Sequence, residues 1–196
     1  MTMLASHLSG FLREYLPRDR AASTHTCESY SYGLMLLLRF AAERLRLRPS
    51  QIDLVQLDAQ LVLEFLSYIE EQRRNTVRTR NARLAAIKSF FRYLEYRAPQ
   101  CIEQIRQIHA IPMKKTEEAL VAFLDRNEMQ ALLDAPEIST TLGVRDRAML
   151  HLTYACGLRV SELVSLRMDQ FDTRAPPSLR VLGKGRRERI LPLWKE

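Results

Sequence analysis

A chain of 196 residues, 46% of them hydrophobic, has enough apolar material for one large or two small domains with buried cores. Its longest aliphatic run, Leu34 to Leu38, falls far short of the ~20 residues of a membrane helix, and Met1 to Gly10 lack a charged-then-apolar signal segment; together these predict no membrane partner and a cytoplasmic location. Lys and Arg outnumber Asp and Glu by 30 to 23, and the excess is localised: Arg73 to Arg97 hold eight bases against one acid, Glu95, a local net of +7 that suits a polyanion better than a small acidic substrate.

In chain order, Leu8, Phe11, Leu12 and Tyr15 share one helical face, and Pro17 is expected to end that first helix. A second helix is expected from Thr26 to Leu45, with Tyr30, Leu34, Leu37, Ala41 and Leu45 on its apolar face and Thr24 or Thr26 as its cap. Asp58 caps a third, striped by Leu61, Val62, Phe65, Leu66 and Ile69. The basic segment forms the fourth. There Leu84, Ile87, Phe91 and Leu94 face inward while Asn81, Lys88 and Arg92 lie on another face. A solvated basic surface is the plain alternative to a nucleic-acid face.

Residues 98 to 119, broken by Pro112 and the Lys114-Lys115 pair, read as an interdomain linker with one helical turn around Ile102 to Ile108. Asp125 and Glu128 make a capping-box start for a helix through Leu133 that Pro136 stops. Arg145 to Ala155 is helical, Gly157 punctuates it, and Val160 to Arg167 resumes. The last stretch, "SLRVLGKGRRERILPL", reads as a β-hairpin around Gly183-Lys184-Gly185. The fold expected is mainly α: a four-helix domain over 1–97, the linker 98–119, and an α+β piece with a hairpin over 120–196.

Cys27, Cys101 and Cys156 are widely spaced, odd in number and without a CxxC pair, so they read as reduced thiols, and no metal or cofactor is implied. The chemistry-bearing features are Arg159, placed after a glycine turn with Glu162 three residues on, and Lys184 between two glycines. An arginine presents a planar fork to two oxygens of one phosphate, which a lysine cannot copy. A lysine at a hairpin tip supplies a charge or a proton to the same group. Each feature alone is more often a surface ion pair or a solvated turn.

Taken together and in order, these stretches resemble the tyrosine recombinase (phage integrase) family, close to its Xer-type members. "RDRAMLHLTYACGLRVSELVSLRMDQFD" (145–172) is similar to that family's first catalytic box, and "VLGKGRRERILPL" (181–193) to its lysine-bearing hairpin. "TRNARLAAIKSFFRYL" (79–94) is similar to part of the SAM-like core-binding domain, so that the 120–196 piece corresponds to a partial catalytic domain. The resemblance implies that Arg159 is the first catalytic arginine, Glu162 its supporting acid and Lys184 the hairpin lysine. Arg78, Arg80, Asn81, Arg83, Lys88 and Arg92 are the candidate DNA contacts, with Asn81 able to read adenine.

In this family a tyrosine attacks a DNA phosphodiester, leaving a 3′-phosphotyrosyl link and a free 5′-hydroxyl, with no ATP and no metal. The partners implied are double-stranded DNA and, for a full-length protein, other protomers in a synaptic tetramer. The family continues past the hairpin with a His-x-x-Arg box and the nucleophilic tyrosine, whereas this sequence stops at Glu196. The expectation is therefore a DNA-binding portion of a recombinase, inactive alone; the alternative is a catalytically inactive DNA-binding module derived from one. A helical transcription regulator would explain the basic fourth helix but not the pairing of Arg159 with Lys184. Tyr154, Cys156 and His151 are expected to be structural, with Tyr154 continuing an apolar helical face.

Overall fold

The computed structural model describes residues 4–116, 122–174, 176–183 and 187–193. The chain divides into two compact units, Met1–Ala119 and Leu120–Glu196, each taken by itself below.

In the first unit, helix α1 (Leu4–Gly10) runs directly into wider, π-type turns over Phe11–Asp19. Pro17 lies inside these turns instead of ending the helix, because the chain closes with an N–H of Arg20 reaching back to the carbonyl of Tyr15. Phe11 is fully buried, with its ring 5.4 Å from Phe90 and 5.5 Å from Tyr93. Helix α2 (Thr24–Leu45) is capped by neither expected threonine: Ser23 precedes it and accepts the N–H of Thr26. Asp58 caps α3 (Ala59–Glu71) as its sequence predicts, accepting the N–H of Leu61 at 2.7 Å. Helix α4 (Val77–Leu94) starts on Thr76 and buries Leu84, Ile87, Phe91 and Leu94 as the apolar spacing requires.

The stretch expected as a linker from Ala98 carries more than one helical turn and packs onto the core. Helix α5 (Ile102–Ala110) packs Ile105 and Ile108 into the same core as Phe65, Phe90 and Leu94, and Ala98, Cys101 and Ile111 are buried with them. The three-residue spacing of the isoleucines gives α5 one apolar edge, and Gln104 Nε2 ties it to the carbonyls of Leu54 and Leu57. Among the described residues four α-helices lie within 1–97, as expected, and α5 adds a fifth to the helical unit.

In the second unit, α6 (Arg126–Asp134) carries the expected capping box of Asp125 and Glu128. Helix α7 (Thr141–Cys156) begins ahead of Arg145 because Thr140 Oγ1 accepts the N–H of Gly143 at 3.0 Å. A side chain at Gly143 would overlap the carbonyl of Glu137, so that turn requires glycine. Gly157, at φ +57°, ends α7 in the left-handed conformation that favours glycine. The helix that follows, α8 (Val160–Val164), is shorter than the stretch to Arg167 that its sequence suggests.

Strands β2 (Ser178–Leu182) and β3 (Glu188–Pro192) form the expected antiparallel hairpin, with Leu179 opposite Leu191 and Val181 opposite Arg189. A two-residue strand not foreseen in the sequence, β1 (Phe171–Asp172), pairs with β2 and makes the sheet three-stranded. Leu158, Leu179 and Val181 form a small buried cluster in this unit. The Gly183-Lys184-Gly185 tip is outside the described residues beyond Gly183, and Lys184 with it. Among the described residues no helix is long and apolar enough to cross a membrane, and no cluster of His, Cys, Asp or Glu is arranged to hold a metal ion.

Candidate phosphodiester site and nucleic-acid interface

The left-handed Gly157 turns the chain from α7 through Leu158 to Arg159, which occupies the cap position of α8 in extended conformation. An arginine has no acceptor with which to cap a helix. The capping relation runs the other way, with Glu162 reaching back to accept the backbone N–H of Arg159 on Oε2 at 2.9 Å. Its Oε1 accepts Nη1 of the same arginine at 3.0 Å.

A second arginine completes the arrangement. Arg189, on β3, sets its fork against the same carboxylate, Nη1 to Oε1 at 3.0 Å and Nη2 to Oε2 at 2.8 Å. The Glu162 side chain is only 4% exposed, and its two oxygens receive four N–H donors. The Arg189 hydrogen bonds, then the Arg159 backbone N–H, hold its pKa at about 2, well below the ordinary 4.5. The Arg159 side chain, in contrast, is 67% exposed. Its remaining guanidinium donors carry no bond among the described residues and face solvent.

Sequence reasoning brought Arg159 and Glu162 together and missed Arg189. A signal was available: strand alternation puts Arg189 on the face of Leu191, opposite buried Val181, and a charge on an inward position requires a partner. Tyr154, expected on a packed apolar face, is 62% exposed on α7. Cys156 is half-buried beside the small cluster, and burial pushes its thiol pKa up.

The basic helix α4 divides its residues between two roles. Arg78 and Arg92 are exposed. Arg83 is half-buried, donating to the carbonyl of Ser29 at 3.2 Å with its guanidinium 4.8 Å from the Tyr32 ring centroid. Arg80, expected on the DNA face, is instead 4% exposed; Nη1 bonds the Pro112 carbonyl and Asn81 Oδ1, and Nε lies 3.9 Å from Glu70. Asn81 directs its amide to the backbone of Lys114. Lys88 Nζ donates to the carbonyls of His109 and Ile111, and burial lowers its pKa. These three positions grip the segment that leaves α5, whose carbonyls follow the α4 surface there; helical spacing alone does not reveal this.

Comparison with known proteins extends over both units. Residues 9–98 match the model of the phage integrase N-terminal SAM-like domain, and residues 122–196 match that of the phage integrase family. A putative integrase/recombinase of Sinorhizobium fredii (strain NBRC 101917 / NGR234), y4rD, is 38% identical over 192 residues, covering 97% of this chain and 68% of that protein. The chain belongs to the tyrosine recombinase (phage integrase) family. Within the family it is Xer-like: a tyrosine recombinase XerC of Pelotomaculum thermopropionicum (strain DSM 13744 / JCM 10971 / SI) is 37% identical over 187 residues, covering 95% of this chain and 59% of that recombinase. The putative integrase/recombinase y4rC of the same Sinorhizobium strain is 43% identical over 192 residues, 98% of this chain, yet the match spans only 58% of y4rC. The fold is shared with the XerH site-specific recombinase in its post-cleavage complex with palindromic difH substrate, at TM-score 0.66 and 21% identity over 94% of this chain and 53% of XerH.

Proposed function

We propose that these residues are the DNA-binding portion of a site-specific tyrosine recombinase that cleaves and rejoins phosphodiesters in DNA integration and recombination, acting in the cytoplasm on double-stranded DNA with further protomers. The observation that carries this reading is the exposed Arg159 guanidinium held on a carboxylate neutralised by four N–H donors. Such a group meets the charge that grows on a nonbridging phosphate oxygen, and it is set in place before the oxygen arrives. In the same scheme Lys184 protonates the leaving 5′-oxygen. Exposed Arg78 and Arg92, with Arg83 beside them, supply phosphate contacts along the duplex from the helical unit. By the family's order of boxes, the second arginine and the nucleophilic tyrosine follow the hairpin.

The test is titration of a labelled DNA duplex with the 196-residue chain over a range of salt concentrations. The expected result is an association constant that falls steeply and linearly on log–log axes as phosphate contacts release counterions. Absence of duplex binding at low salt would overturn the reading.

A further inference from the structure

Arg189 has no part in the chemistry just described, yet it makes half of the contacts at the centre of the site. Each Glu162 oxygen takes one donor from Arg159 and one from Arg189: Oε1 from the two Nη1 atoms, Oε2 from the Arg159 backbone and Arg189 Nη2. The Arg189 fork is bidentate, so it fixes the plane of the carboxylate as well as its position. Without it, a glutamate with three free torsions would be oriented by Arg159 alone, the residue it has to orient.

Charge supports the same role. Arg159 and Glu162 by themselves are a neutral pair with little attraction for an anion. Adding Arg189 gives the cluster a net charge of +1, with the exposed part of that charge on Arg159. The end of β2 closes against the clamp: a Cβ at Gly183 would stand 3.0 Å from Arg189 Nη1 and 3.3 Å from Glu162 Oε1. The N–H of Gly183 donates to the Arg187 carbonyl at 2.8 Å, which pins the strand ends around Arg189.

We infer that Arg189 is a positioning residue, whose fork on Glu162 sets the orientation in which Arg159 meets a phosphodiester oxygen. This rests on the phosphate role of Arg159 given above, and the two are separable by experiment. The full chain is labelled with guanidino-15N arginine and the Arg159 signal assigned with Arg159→Lys. In Arg189→Lys, which keeps the charge and loses the fork, the restricted Arg159 guanidinium signal should collapse to a freely rotating one while the backbone spectrum stays dispersed. Duplex affinity should fall about tenfold, close to the loss for Arg159→Ala, and combining the two substitutions should add nothing.

An Arg159 guanidinium that stays restricted in Arg189→Lys, or losses that add in the double variant, would overturn the inference. A mobile Arg159 with unchanged affinity in both single variants would support the hold of Arg189 on Arg159 and remove the phosphate role instead. Gly183→Ala, which displaces Arg189 by a few tenths of an ångström, provides a milder variant if Arg189→Lys does not fold; it should loosen Arg159 in the same direction, and an unchanged signal there would count against the inference.

Discussion

The side-chain amide of Asn81 and the backbone of Lys114 pair as two strand residues would, Nδ2 donating to the carbonyl at 2.7 Å and Oδ1 accepting the N–H at 3.1 Å. A residue that looked like a reader of adenine thereby fixes the path of the chain after α5. The Lys114 ammonium adds a bond to Glu70 at 2.7 Å on α3, so one residue is held from two helices. Asn81→Ala should release this segment at a cost of about 1–2 kcal/mol. The measurable outcome is faster tryptic cleavage after Lys114 and Lys115 with the helical core intact; an unchanged cleavage rate would refute the anchoring.

The two classes of α4 cation should separate cleanly in experiment. Arg78→Ala and Arg92→Ala remove exposed charges and should each flatten the log K against log salt slope by ~0.9 with little change in melting temperature. Arg80→Ala should do the opposite. It strips the Pro112 carbonyl and Asn81 of a buried partner, destabilising the unit by about 2 kcal/mol while leaving the slope nearly unchanged.

The contrast shows how far the sequence could be read. The stripes of α3 and α4 and the caps of Asp58 and Asp125 follow from spacing and side-chain chemistry over a few residues, and both arise from local physics. Arg80 and Arg83 are three residues apart on one helix, and only the course of 109–114, set by packing of α5, decides that Arg80 is enclosed. The same holds for Arg189: its partner is Glu162, 27 residues away, and nothing nearby names it. Arg159 with Glu162 was readable because their contact spans a single helical turn.

The Glu162 carboxylate also predicts a pH response. Its folded pKa, about 2, lies below the ordinary 4.5, so its contribution is fully present above the unfolded value and is lost as pH falls from about 4.5 toward 2. Asp172, held at about 2 against its ordinary 3.8 mainly by hydrogen bonds from Arg174, titrates in the lower part of that window. The melting temperature of the second unit should decline across that window. Glu162→Gln should lower it at neutral pH and reduce the decline, and Asp172→Asn controls for the neighbouring group. Wild type and Glu162→Gln melting in parallel from pH 7 to 2 would contradict the charge-assisted clamp.

The second unit exposes several large apolar side chains beside a small buried core. Val160 is 76% exposed, Val164 69% and Ile190 70%, against a buried cluster centred on Leu158, Leu179 and Val181. Surface of this kind binds hydrophobic dyes and yields to protease more readily than a closed core. Dye fluorescence should fall when Val160→Ser and Val164→Ser are combined, and limited proteolysis should cut within 122–193 before it cuts within 4–116. Equal protection of both units would show that this surface is covered in solution.

The final prediction concerns covalent chemistry. Strand cleavage needs a nucleophile in line with the leaving oxygen and cations against the developing charge, and misplacement by about 1 Å costs ~100-fold. Around Glu162 the described residues contribute two arginines, one of them turned inward onto the carboxylate, which leaves Arg159 as the more exposed cation. Six of the seven tyrosines precede the second unit. The seventh, Tyr154, is exposed, but its α7 hydroxyl has no base within the described hydrogen bonds to activate it. On a nicked suicide duplex, where loss of the short fragment traps any phosphotyrosyl link, the 196-residue chain should bind without forming an adduct on a denaturing gel. Adding a separate fragment that carries the family's later His-x-x-Arg and tyrosine boxes should restore the adduct on that fragment, and Arg159→Ala in this chain should abolish it again. An adduct mapped by mass spectrometry to Tyr154, and lost in Tyr154→Phe, would instead make α7 the source of the nucleophile.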